Sequence, residues 1–144
     1  MVNLLRMRQL LKQTINIQWK LEQEQAAATK ITSVLTGMPR SSGTHSQVED
    51  GAIKIAELKE EYGSAIEELE RMREELNELV STLDDVNHRA TIRMRYIRGY
   101  KMDSIADAIG VKRRTIYRYL TRAEDELCEK YPDKIIRKQE KDTV

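Results

Sequence analysis

The sequence predicts an all-α fold. Three observations carry this reading: apolar residues recur at gaps of three and four over most of the chain, aromatics make up only 5% with Phe absent, and two prolines interrupt 144 residues. With 34% charged residues, such a composition suits long helices packed through Leu, Ile, Met and Ala rather than a sheet. A hydrophobic content of 40% suffices for one domain-sized core. Cys128 stands alone and cannot form an internal disulfide, and His45 and His88 offer no zinc-ligand spacing. No metal or cofactor is expected, and a reducing compartment fits. The opening MVNLLRMRQLLKQ is broken by Arg6, Arg8 and Lys12, so it reads as neither signal peptide nor membrane span, and a cytoplasmic protein is expected.

The first helix is expected over residues 3 to 36, on a stripe of Ile17, Leu21, Ala28, Ile31 and Leu35 that ends at Gly37-Met38-Pro39. Glu24 interrupts the stripe. Trp19 lies off it, as a second contact face or an exposed aromatic. RSSGTHS, Arg40 to Ser46, reads as a loop with His45 solvated. Ser46 and Glu49 form the S-x-x-E capping signature and place the next helix start near Gln47. Ile55, Leu58, Tyr62, Ala65, Leu69, Met72, Leu76, Leu79, Leu83 and Val86 then alternate gaps of three and four, a heptad seam. Ile66 and Val80 widen it, so a partner helix is required, and the first helix can supply it by folding back antiparallel. Residues 1–83 are therefore read as a coiled-coil-like helical hairpin serving oligomerisation or partner contact. Its glutamate-rich outer face is read as solvated, with Glu68 and Arg73 spaced for an interhelical pair.

Asp84 and Asp85 suit the start of a third helix, which is expected to end at Gly99 with Val86, Ala90, Met94 and Ile97 inward and Arg89, Arg93 and Arg95 free to brace its neighbours. From Met102 to Thr121 the order Ile105, Ala106, Ile109, Gly110, Val111, Ile116, Tyr119 supplies what two helices crossing at a tight turn need: apolar contact, a small residue at the crossing and a glycine free to turn. Ile116, Leu120, Ala123 and Leu127 extend the second of these helices to about Lys130, before Pro132. This gives a three-helix helix-turn-helix module over 84–130 and a frayed polar tail over 131–144.

The formal charge of +1 conceals two opposed blocks. From Gln47 to Asn87 stand 13 acidic residues against 4 basic, a net −9; from His88 to Arg122 stand 10 basic against 2 acidic, a net +8. The basic block has the density of a phosphate-binding surface. If Ile116, Leu120, Ala123 and Leu127 face the core, then Lys112, Arg113, Arg114, Tyr117, Arg118 and Thr121 face outward, with Arg122 and Lys101 beside them. Arginine can read guanine O6 and N7 through two parallel hydrogen bonds, so Arg113 and Arg114, at the helix start, are assigned to bases. Lys112, Tyr117 and Arg118 are assigned to phosphates that fix the register. A plain solvated face is the bland alternative, although such faces usually mix both signs.

The residues Arg89, Met94-Arg95-Tyr96-Ile97 and Gly99, then Ile105-Ala106 and Ile109-Gly110-Val111, then Thr115-Ile116-Tyr117, Leu120, Arg122-Ala123 and Leu127 together resemble region 4 of sigma-70 family factors over 89 to 127. The resemblance implies promoter DNA and RNA polymerase as partners. Two positions depart from it: Ser104 stands where Glu is common, and Lys112 where a Ser often caps the recognition helix, a cap usually worth about 1 kcal/mol. With a long helical segment in front, the arrangement resembles small phage-encoded regulators of the ArpU and RinA type. The leading expectation is thus a sequence-specific regulator of transcription that binds double-stranded DNA and forms a homo-oligomer through the heptad seam. The alternatives are a small-terminase-like DNA-packaging subunit, marked by a ring assembly, and a structural coiled-coil adaptor, marked by no DNA binding. An enzyme is not expected, since no glycine-rich phosphate loop or nucleophile–base cluster stands in the sequence.

Overall fold

In the computed structural model, which describes residues 1–35 and 42–137, helices hold most of the chain. The elements run β1 (Val2–Asn3), α1 (Leu4–Leu35), α2 (Ser42–Val80), α3 (Val86–Ile92), a π-helical turn (Arg93–Ile97), α4 (Met102–Ile109), α5 (Arg113–Lys130) and β2 (Ile135–Ile136). They fall into two compact units, Met1–Leu11 with Glu68–Val144, and Lys12–Glu67. The boundary read from the sequence, between Leu83 and Asp84, lies inside the first of these.

That first unit is built on apolar stripes from α1 to α5. In α2, Leu69, Met72, Leu76, Leu79 and Val80 are buried, and Leu83 just beyond it is 2% exposed. The seam therefore finds its cover within one chain here. Val86 does not belong to it: as the first residue of α3, beyond a break in the helix, it is 64% exposed. The break is set by Asp85, whose side chain accepts from the backbone N–H groups of Asn87 and His88 at 2.8 and 3.2 Å, an N-cap of the expected kind. These two bonds hold the Asp85 carboxyl below its ordinary range.

The third helix turns a different face inward from the one its pattern suggests. Ile92 and Tyr96 are fully buried, while Ala90, Met94 and Ile97 are only half-buried. The face already differs in α3, where Thr91 and Ile92 are buried, and the π-helical turn then adds a residue to the spacing after Ile92, so a stripe counted at 3.6 residues per turn goes further astray at Met94 and Ile97. Arg89, Arg93 and Arg95 do brace it. Arg89 donates to the carbonyls of Leu83 and Asp84, Arg93 to Asn77 and Ser81 at 3.2 and 3.1 Å, and Arg95 to the Tyr100 carbonyl at 3.1 Å.

Both ends of the chain's described part enter this core, which the sequence reading missed. Val2, Leu4, Met7 and Leu10 are fully buried, and β1 pairs in parallel with β2, Val2 opposite Ile135 and Asn3 opposite Ile136. Ile135, expected in a frayed tail, is 4% exposed. A two-residue strand carries no periodicity of its own, so its pairing depends wholly on what lies beside it. The remainder of the expected tail, residues 138–144, lies outside the described residues. Glu68 pairs with Arg6 of α1, which donates from Nε and Nη2 at 3.0 and 2.9 Å, whereas Arg73 turns to Glu70 and the Tyr96 carbonyl. Glu68 and Arg73, both on α2 and spaced for a pair between two helices, are thus each engaged within the chain.

The unit Lys12–Glu67 is more thinly packed. Ile17 and Ala65 are buried, and Leu21, Ile55, Leu58 and Tyr62 are half-buried, with Gln18 donating to the Tyr62 hydroxyl at 3.0 Å. Trp19 is 62% exposed within the chain. α2 begins at Ser42, ahead of the cap expected at Ser46, so part of the expected loop is helical. The remainder, residues 40 and 41, and the expected stop at 37–39 lie outside the described residues.

One buried polar contact orients α5. Glu124 sits on its inner face, 5% exposed, where it accepts from the Tyr96 hydroxyl and from Arg137 Nε at 3.2 Å. Burial first, and then the facing Glu124 carboxylate, push the Tyr96 phenol above its ordinary value of 10. Tyr96→Phe should remove a donor from a buried carboxylate and cost about 1–3 kcal/mol, read as a lower urea midpoint. Because the folded phenol keeps its proton while the unfolded one loses it, stability should fall as pH rises above 10, and the variant should lack that component. Gly110→Ala tests the turn before α5. At φ +83° with nothing within 4 Å of a Cβ there, only backbone strain is added, and a loss of about 1–2 kcal/mol is expected by thermal melting.

Candidate nucleic-acid interface

α4 and α5 are joined by a turn only a few residues long. Gly110, in the left-handed region, closes α4: its N–H and that of Val111 both reach the Ala106 carbonyl, at 2.9 and 3.1 Å. These bonds satisfy a carbonyl that a helix end leaves free. Lys112 is extended, with φ −73° and ψ 151°, and its carbonyl accepts from Thr115 and Ile116, opening α5. Ile105 and Ile116 are fully buried, Ala106 is 5% exposed, and Ile109, Val111 and Tyr119 are half-buried. The small Ala106 thus lies where the sequence placed a close crossing.

On α5 the inward face is Ile116, Leu120, Ala123, Glu124 and Leu127, all buried. Four of these were expected, and Glu124 was not. All eight residues singled out from the sequence, Lys101, Lys112, Arg113, Arg114, Tyr117, Arg118, Thr121 and Arg122, are exposed. Seven of them lie on α5 or at its N-cap, and Lys101 is the N-cap of α4. Tyr117 is 47% exposed, an aromatic ring open to solvent among cations.

Six arginines serve the fold, and the cations singled out from the sequence do not. Arg6, Arg73, Arg89, Arg93, Arg95 and Arg137 are bound to carboxylates, side-chain amides or carbonyls within the fold. Lys101, Lys112, Arg114, Arg118 and Arg122 make no ion pair among the described residues. Arg113 alone of the outward set is engaged, by an ion pair from Nε to Asp103 Oδ1 at 3.3 Å and by donation from Nη2 to the Tyr117 hydroxyl at 3.1 Å. The Tyr117 bond first, and then Asp103, hold its guanidinium above the ordinary arginine range.

The start of α5 is electrostatically unusual. Lys112 makes no side-chain cap bond, and the first turn holds no acidic residue. Three consecutive cations therefore stand at the positive end of the helix dipole, where anions are favoured and cations opposed. An external anion placed there would meet both the cations and the unsatisfied backbone N–H groups of the first turn. Asp103 is the residue that sequence reasoning passed over. It was counted only as one of two acids in a basic block, and nothing in its spacing announces the partner it meets across the turn.

Among the described residues, no group of His, Cys, Asp and Glu is arranged to hold a metal ion, and no helix is long and apolar enough to cross a membrane. His88 is instead a packing residue, with Nδ1 3.3 Å from Glu126 and its ring 6.1 Å from that of Tyr119. Comparison with the curated proteins gives no match, and comparison with the solved structures gives none. Residues 29–128 match a family model described as "Protein of unknown function (DUF1492)". That span runs from within α1 to Cys128 near the end of α5, more than half of the chain, and the protein belongs to this family.

Proposed function

We propose that this chain is a sequence-specific DNA-binding regulator of transcription, in which α4 and α5 act as a helix-turn-helix and α5 enters the major groove. The observation that carries the reading is the outward face of α5. Lys112, Arg114, Arg118 and Arg122 are exposed there and unpaired among the described residues, beside Tyr117 and Thr121, while Arg6, Arg73, Arg89, Arg93, Arg95 and Arg137 are held by internal partners. A surface kept only for solubility mixes charges of both signs and avoids cations at a helix N-terminus. A phosphate-facing surface does neither.

In this reading Arg113 and Arg114 contact base edges, and Lys112, Tyr117, Arg118, Thr121, Arg122 and Lys101 contact phosphates or add register. α1 and α2 form an antiparallel helical hairpin, supported by Arg6–Glu68 in one unit and Gln18–Tyr62 in the other. The seam from Leu69 to Leu83 is filled within one chain, so self-association through it is left to the half-buried Ile55, Leu58 and Tyr62. RNA polymerase is the proposed protein partner, and a phage or prophage origin the proposed setting, both on the resemblance to sigma region 4 and to the ArpU and RinA type.

Selection from a random duplex library with the full chain, followed by anisotropy over a salt series, tests this. A motif should emerge. Arg114→Ala should weaken binding to it by about 1–3 kcal/mol and relax one base position. Arg118→Ala should weaken all duplexes alike and make the slope of log affinity against log salt shallower by about 0.9. No affinity for any duplex at low salt would overturn the proposal.

A further inference from the structure

Of the four arginines on the outward face of α5, Arg113, Arg114, Arg118 and Arg122, Arg113 is the one engaged by protein partners among the described residues, and those partners meet a particular edge of it. Its Nε lies 3.3 Å from Asp103 Oδ1, at the start of α4, and its Nη2 donates to the Tyr117 hydroxyl one turn along α5 at 3.1 Å. The guanidinium carbon stands 5.5 Å from the centre of the Tyr117 ring. A guanidinium carries five N–H donors in a rigid plane. With Nη2 donating to Tyr117 and Nε facing Asp103 as an ion pair along one edge, the edge formed by Nη1 and the second hydrogen of Nη2 remains. Two parallel donors on that edge are what guanine O6 and N7 accept.

We infer that Asp103 and Tyr117 hold the Arg113 guanidinium in the orientation in which its free edge reads a guanine, so that Asp103, which need not touch DNA, helps to set base preference. This deepens the DNA-binding reading and rests on it. An unrestrained arginine would give up its rotamer freedom on binding and would settle as readily on a phosphate oxygen. Here one hydrogen bond, from Nη2 to Tyr117, and the charge of Asp103 beside Nε bias the plane before DNA arrives. The nearby carboxylate also offsets the charge that would draw the side chain to the backbone, which tilts the balance toward the neutral base edge.

The side chains of Arg113 and Asp103 are 59% and 73% exposed, so water screens the pair and the fold gains little from it. Asp103→Asn should therefore melt at close to the parent temperature. The test uses the full chain and the duplex selected by it, with the guanine at the position that Arg113→Ala relaxes exchanged for adenine. The parent should prefer guanine by roughly tenfold or more. Asp103→Asn should lose most of that preference while binding the adenine duplex as well as the parent does, or better, since a negative charge near phosphates is gone. Tyr117→Phe keeps the ring but not the hydroxyl and should lose part of the preference, and Arg113→Lys keeps the charge but not the fork and should lose it all. A parent whose guanine preference survives intact in both Asp103→Asn and Tyr117→Phe would overturn this inference and leave DNA binding standing. A parent with no sequence preference would overturn both.

Discussion

The buried carboxylate of Glu124 governs how the rest of the C-terminal half is arranged. A charge on the inner face of a helix costs several kcal/mol unless its oxygens are satisfied. Here the Tyr96 hydroxyl comes from the π-helical turn and the Arg137 guanidinium from the chain just after β2. Both contacts are available at one rotation of α5 about its axis. That rotation puts Ile116, Leu120, Ala123 and Leu127 in the core, and it leaves Arg114, Tyr117, Arg118 and Thr121 outside. Replacing Glu124 by an apolar residue would pack as well in principle; the carboxylate adds specificity of orientation by demanding two directional partners.

Arg137 extends the constraint to the beginning of the chain. It follows β2, which pairs with β1, and β1 leads directly into the buried Leu4, Met7 and Leu10 of α1. The C-terminus of α5 is also tied to the end of α2: Lys130 donates to the Thr82 carbonyl at 2.8 Å, and the Tyr131 and Thr82 hydroxyls are 2.6 Å apart. The outward face of α5 is thus carried by a core drawn from both ends of the described chain, and a fragment starting at Asp84 would lack a good part of it.

Periodic features of this fold were legible in the sequence. Ile116, Leu120, Ala123 and Leu127, the Ile105–Ala106 pair, Gly110 and the Asp84–Asp85 break each act through local chemistry, a repeat of 3.6, a positive φ or a side-chain cap, and each is where the pattern placed it. What escaped depends on partners distant in sequence. In the third helix the inward face is Thr91, Ile92 and, in the π-helical turn that follows, Tyr96, and no 3.6-residue count reveals such an insertion after Ile92. Two-residue strands have no period to detect. Glu124 looked like any exposed glutamate, because a buried charge is recognisable only through Tyr96 and Arg137, neither of them close to it in sequence. Of the candidate site, the exposed cations were legible by sign and spacing. Asp103 was not, because its role lies in a contact across the turn.

On the reading proposed above, one face of α5 meets DNA. Amide chemical shifts of the uniformly ¹⁵N-labelled full chain, followed while the selected duplex is added, test it residue by residue. The account predicts the largest changes at Lys101, from Lys112 to Arg114, and at Tyr117, Arg118, Thr121 and Arg122, with the unit Lys12–Glu67 little affected. Changes concentrated in Lys12–Glu67, or none at all on α5, would contradict it.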